Sequence, residues 1–202
     1  MGELFKTPVR AATAGLVLLI ALIVIVVLAT GQKFAFDMNW GRLVMRWLHI
    51  ITGVMWIGLL WYLNFVQVPT IAKIQAPDTP AVINKYIAPN VLFYFRYGAL
   101  ATVITGLLLA LMQPPQGDSS YIMNALLLRE PQLKIGIGVW MALVMAFNVW
   151  FLIWPNQQKI LGLVPASDAD KAKARPIALY ASRFNTMFSV GMLYFMAAQS
   201  HS

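Results

Sequence analysis

Residues 11–30 read AATAGLVLLIALIVIVVLAT, a run with no charge in it. A helix of about 20 apolar residues crosses the roughly 30 Å of hydrocarbon in a bilayer. Four more such runs follow, at about 43–66, 91–112, 133–154 and 179–199. A soluble helix needs only one apolar stripe, so several separate runs of this length are unexpected in a soluble domain. The chain is 60% hydrophobic and 11% charged, where soluble domains carry about a quarter charged residues. The expected fold is therefore all-α: an integral membrane helical bundle of about five transmembrane helices, forming a single domain over 1–202.

The first run follows a short basic leader with Lys6 and Arg10. Its apolar core exceeds the 7–15 residues or so of a secretory signal, so it reads as an uncleaved anchor that faces lipid. Prolines and polar residues separate the other runs. QVPTIAKIQAPDTPAVINKYIAPN, with Pro77, Pro80 and Pro89, is expected to be a loop with a short interfacial helix; SDADKAKARP is expected to be a solvated loop; and Pro155 in WPNQQK is expected to stop the fourth helix. With the N-terminus inside, ten Lys and Arg fall on the inner side (residues 6, 10, 73, 85, 96, 159, 171, 173, 175 and 183) and five on the outer (33, 42, 46, 129 and 134). Basic residues favour the cytoplasmic side, which predicts N-terminus in and C-terminus out. The net charge of +8 then reflects loops and headgroup contacts, and nucleic acid is not an expected partner.

Several chemistries are excluded or disfavoured. The chain has no cysteine, so it holds no disulfide, iron–sulfur cluster or thioether-linked c-type haem. All seven acidic residues lie outside the expected spans, which disfavours a proton-coupled pump. No Gly-rich phosphate loop, catalytic carboxylate pair or nucleophile constellation is present.

RWLHIITGVMWIG, Arg46 to Gly58, brings ionisable residues into an apolar helix and holds one of two histidines; the other is His201. At 100° per residue Arg42, Arg46, His49, Gly53 and Trp56 share a sector of about 80°. Ionisable residues within a span normally face protein interior and mark function. A b-type haem accounts for each member: His49 as axial ligand, Gly53 making room for the macrocycle, Arg42 and Arg46 pairing with propionates, and Trp56 packing on the ring. In the expected topology His201 emerges on the same face as His49, so it is the candidate second ligand, with Met192 or Met196 as substitutes. Blander readings also stand. The arginines can snorkel to headgroups, the tryptophans can anchor at the interface, His49 can bond a neighbouring helix, and His201 can fray. Gly98, Thr102 and Gly106, like Gly138, Ala142 and Ala146, have small-xxx-small spacing suited to close packing. Asn148 on the fourth run and Ser182, Asn185 and Ser189 on the fifth either line a polar interior or pack.

Three stretches carry a resemblance. RWLHIITGVMWIGLLWY, NVWFLIWPNQQKIL and ASRFNTMFSVGMLYFMAAQSH resemble, in order, the membrane domain of the bacterial membrane-bound urate oxidase family, whose members typically join a multi-helix membrane domain to a cytochrome c. The resemblance implies that His49 and His201 match functional histidines of that family. The absence of cysteine implies that any cytochrome c is a separate partner, so the chain is expected to be a stand-alone relative. The expected function is thus a multi-pass subunit of an electron-transfer complex in the bacterial inner membrane, holding haem b near the periplasmic face. Two alternatives stay open: a cofactor-free accessory subunit of a larger membrane enzyme, and a urate-oxidase-like oxidoreductase.

Overall fold

The computed structural model describes residues 5–31, 35–74, 82–113 and 120–198, and all regular structure among them is helical. The six helices are α1 (Pro8–Thr30), α2 (Met38–Ile71), α3 (Ile83–Leu111), α4 (Ser120–Leu126), α5 (Leu133–Ile160) and α6 (Asp168–Ala198). Among the described residues α1, α2, α3 and α5 are long and apolar enough to cross a membrane. The expected fifth run, 179–199, falls on α6, whose second half carries Ser182, Arg183, Asn185 and Ser189. The chain divides into two compact units, Met1–Gly41 and Arg42–Ser202.

In the first unit, Thr7 caps α1 by accepting from the Arg10 N–H, Pro8 occupies the first turn, and Gly31 ends the helix at φ 66°. None of the residues of α1 is buried. Its length and mean hydropathy of 3.1 suit a membrane span.

The expected breaks at Pro89 and Pro155 prove to be continuous helix, as does the chain through Pro69, and the reason is the same each time; Pro77 and Pro80 lie outside the described residues. Pro69, Pro89 and Pro155 each follow a π-helical stretch, at Tyr62–Gln67, Ile83–Ile87 and Asn148–Ile153 respectively. A proline inside a helix lacks an N–H and drives its ring against the carbonyl four residues back. Widening the preceding turn relieves the clash and gives the backbone new partners. Here the residue before each proline donates five residues back: Val68 to Leu63, Ala88 to Ile83 and Trp154 to Val149. Pro155 therefore does not stop α5, which runs to Ile160.

SDADKAKARP is likewise the start of α6 rather than a loop. Ser167 and Asp170 form a capping box: the Ser167 Oγ accepts the Asp170 N–H at 3.1 Å, and the Asp170 carboxylate accepts the Ser167 hydroxyl at 2.7 Å. These bonds from Ser167 hold the Asp170 carboxyl below its ordinary value of 3.8.

In the second unit, α2, α3, α5 and α6 share one core. Trp56, Ile57 and Leu60 meet Leu92, Phe95 and Ala99, together with Ala142, Met145, Val149 and Ile153, closed by Ala181 and Met192. Small residues set the helix spacing. A methyl at Gly98 would lie 3.4 Å from the Trp56 backbone nitrogen, and one at Gly138 would lie 3.3 Å from that of Met196. The small-residue stripe of α3 thus receives α2, and that of α5 receives α6. The short helix α4 rests on α5: Gly136 lies against the Ala125 carbonyl, and Trp140 Nε1 donates to the Leu126 carbonyl at 2.9 Å.

Candidate functional site

His49 lies in the fourth turn of α2, half-buried against α3. Its ring lies on the one surface that admits it so closely, the bare backbone of Gly106, where a methyl would be 2.8 Å from Cε1. Nδ1 stands 2.9 Å from the Thr102 carbonyl oxygen and 3.2 Å from Thr105 Oγ1. A carbonyl only accepts, so Nδ1 carries the ring proton and donates it. Thr105 sends its own hydroxyl proton to the Ala101 carbonyl at 2.7 Å, leaving a lone pair toward Nδ1. In the neutral ring Nε2 is then the bare nitrogen. It has no hydrogen-bond partner among the described residues.

The rest of the stripe divides. Gly53 faces Thr102, where a methyl would meet Cγ2 at 3.8 Å. Trp56 is fully buried, and its Nε1 has no partner. Both residues serve the α2–α3 contact. Arg42 donates from Nη1 to the carbonyl of Met112, just past the end of α3, at 3.3 Å. Arg46 is exposed and lies near Tyr121 of α4. Burial pushes the Tyr121 phenol up, and the positive charge of Arg46 draws it partly back. The structure therefore gathers Arg42, His49, Gly53 and Trp56 along one helix contact, with Arg46 at its margin. His201 lies outside the described residues. Met192 is buried in the core and Met196 packs on Gly138.

The donor set bears on a haem. A backbone carbonyl holds the imidazole through Nδ1–H, and in that neutral tautomer Nε2 is the nitrogen with a lone pair to offer. A methyl at Gly53 would make only ordinary contact with Thr102 of α3. Among the described residues, no three His, Asp or Glu gather to hold a bare metal ion.

A second polar cluster occupies the other half of α2. Trp61 Nε1 donates to Ser189 Oγ at 2.9 Å, and Ser189 passes its proton to the Thr186 carbonyl at 2.7 Å. Asn64 donates to Ser182 Oγ at 2.8 Å and to the Leu60 carbonyl at 2.9 Å. Asn148 donates to the Asn185 side-chain oxygen at 2.8 Å, and Asn185 donates to the Met145 carbonyl at 2.9 Å. The α6 members of this seam are visible in the sequence as one polar face. Asn64 is not, because it sits within the π-helical stretch Tyr62–Gln67, where ordinary helical spacing misplaces side chains.

Arg96 of α3 is the third feature, and sequence reading counts it only as a topological charge. Its guanidinium lies 3.6 Å from the Trp154 ring centroid, 4.9 Å from that of Tyr97 and 5.6 Å from that of Trp150. No family model, curated protein or solved structure matches this chain.

Proposed function

We propose that the chain is a multi-pass membrane subunit of a redox complex, with five spans, its N-terminus inside and its C-terminus outside, in the bacterial inner membrane. It holds a b-type haem through His49 Nε2, with His201 as the second axial ligand, and exchanges electrons with a larger membrane complex or a cytochrome c. The observation that carries this reading is the Nδ1–H bond from His49 to the Thr102 carbonyl, which leaves Nε2 as the ligating nitrogen. The ordered resemblance of three stretches to the membrane domain of the membrane-bound urate oxidase family also supports it. Bound haem would supply one-electron chemistry; the chain's own part is to orient the imidazole, with Thr102 and Gly106 fixing its plane. Arg42 and Arg46 are the propionate partners, and Arg46 is exposed.

The reading is tested by a reduced-minus-oxidised spectrum of protein purified from haem-replete cells. Soret and α bands at about one haem per chain are expected; a colourless protein overturns the proposal.

The close α2–α3 contact at Gly53, Thr102, Gly98 and Trp56 favours a second reading, a cofactor-free accessory subunit of a larger membrane enzyme. That reading predicts no chromophore, co-purification with a partner, and full function after substitution of His49. Purine-dependent reduction of an added electron acceptor would instead support the urate-oxidase-like alternative.

A further inference from the structure

Between α3 and α5 runs a groove of about 470 Å³ walled by Leu100, Val103, Ala146, Phe147, Trp150 and Phe151, with almost no polar surface. Phe147 and Phe151 stack at 4.8 Å and are 54% and 65% exposed, so the groove opens outward. Arg96 lies four and seven residues before Leu100 and Val103, on the same face of α3. Trp150 belongs to both the groove wall and the aromatic surround of Arg96. The cation therefore lies next to the groove, one helical turn before Leu100 on α3, with Val103 about 10 Å from it along the helix.

The charge of Arg96 is unanswered among the described residues. No described carboxylate pairs with it, and its Nε is buried without a hydrogen-bond partner, as is the Trp150 Nε1. Aromatic rings cover the flat faces of a guanidinium while its N–H donors stay in the plane, in the fork that suits phosphate oxygens. The sequence around this end suits the level of a headgroup. Trp154 is followed directly by Pro155, Asn156, Gln157, Gln158 and Lys159, and Tyr and Trp gather where bilayer meets water.

We propose that this groove seats an acyl chain of a membrane phospholipid whose phosphodiester is held by Arg96, with preference for an anionic headgroup. The site does not involve His49, and it stands or falls separately from the haem reading.

The test uses the full chain in phosphatidylcholine nanodiscs, titrated with phosphatidylglycerol or phosphatidylcholine bearing brominated acyl chains. Bromine quenches tryptophan, and the Trp150 contribution is the difference between wild type and Trp150→Phe. Phosphatidylglycerol should quench this component at a mole fraction about fivefold lower than phosphatidylcholine does, the worth of one basic group against an anionic lipid. Arg96→Gln should bring the two lipids level, Arg96→Lys should keep the preference, and Ala146→Phe, which fills the groove, should weaken quenching by both. Equal quenching by the two lipids in the wild type overturns the proposal, and so does a preference that survives Arg96→Gln. Loss of the preference on adding inorganic phosphate also overturns it, by making the site a general anion site.

Discussion

The two polar clusters of the bundle use the same kinds of atom and leave them in different states. At the seam joining α2, α5 and α6, amides, hydroxyls and an indole bond to each other and to backbone carbonyls, and no polar atom of Asn148, Asn185 or Ser189 is buried without a partner. At the α2–α3 contact, His49 spends Nδ1 and keeps Nε2. Polar groups in a bundle that satisfy one another are structural, because leaving any of them bare in an apolar interior is costly. A held ring with a free lone pair is what the proposed ligand role requires. Depth or apolarity does not separate the two clusters, since both interrupt apolar helices; their remaining valence does.

The comparison is most exposed at Asn185, which is fully buried. Asn185→Ala removes the acceptor for Asn148 and the donor to the Met145 carbonyl. It should cost about 2–4 kcal/mol, from lost bonds and a cavity, read as a lower melting temperature in detergent, with haem per folded chain unchanged. An unaltered melting temperature would remove the structural half of the contrast. Gly106→Ala is the next largest: its methyl would enter the His49 ring and break the Thr102 bond. Overpacking of this kind costs about 1–3 kcal/mol, and the haem spectrum should shift or vanish with it. Gly58, with open space around its Cα, is the control; Gly58→Ala should leave the spectrum alone and add up to about 1 kcal/mol of helix propensity.

Ser182→Ala tests the seam more gently. Asn64 loses one acceptor but retains the Leu60 carbonyl, so the cost should be about 0.6 kcal/mol, near the mean for bonds between membrane helices. The smallest effect belongs to the α6 cap. Because its bonds with Ser167 depress the Asp170 carboxyl, the cap contributes stability above the unfolded carboxyl's ordinary 3.8 and loses it as pH falls through the lower folded value. Thermal melts below about pH 4 should show a slight extra destabilisation in wild type that Asp170→Asn abolishes, with haem content indifferent to that substitution.

The long apolar runs made the helical architecture legible, since run length and hydropathy are local properties. The helix ends were not legible near proline. The usual rule reads proline as a stop, whereas Pro69, Pro89 and Pro155 are each absorbed by a widened turn that no single residue announces. The α2 stripe led to the α2–α3 contact, and the small-residue spacing of Gly98, Thr102 and Gly106 supplied its other wall. That Gly106 carries the His49 ring needed the register between the two helices, which depends on distant packing. Trp61 and Arg96 were hidden for a related reason: an interfacial tryptophan and a basic residue near a span end both have ordinary readings, and only the facing Ser189 and Trp154 distinguish them.

The central claim is that His49 is a ligand and not merely a bond between helices. It is tested most directly by the haem content per polypeptide, by pyridine haemochrome, of monodisperse His49→Ala purified beside wild type. The substitution removes a bond to a carbonyl that keeps its helical partner, so the fold should lose no more than about 1 kcal/mol. The account predicts about one haem per wild-type chain and none in the variant, with both proteins folded. Equal haem in the two, or none in either, would contradict it.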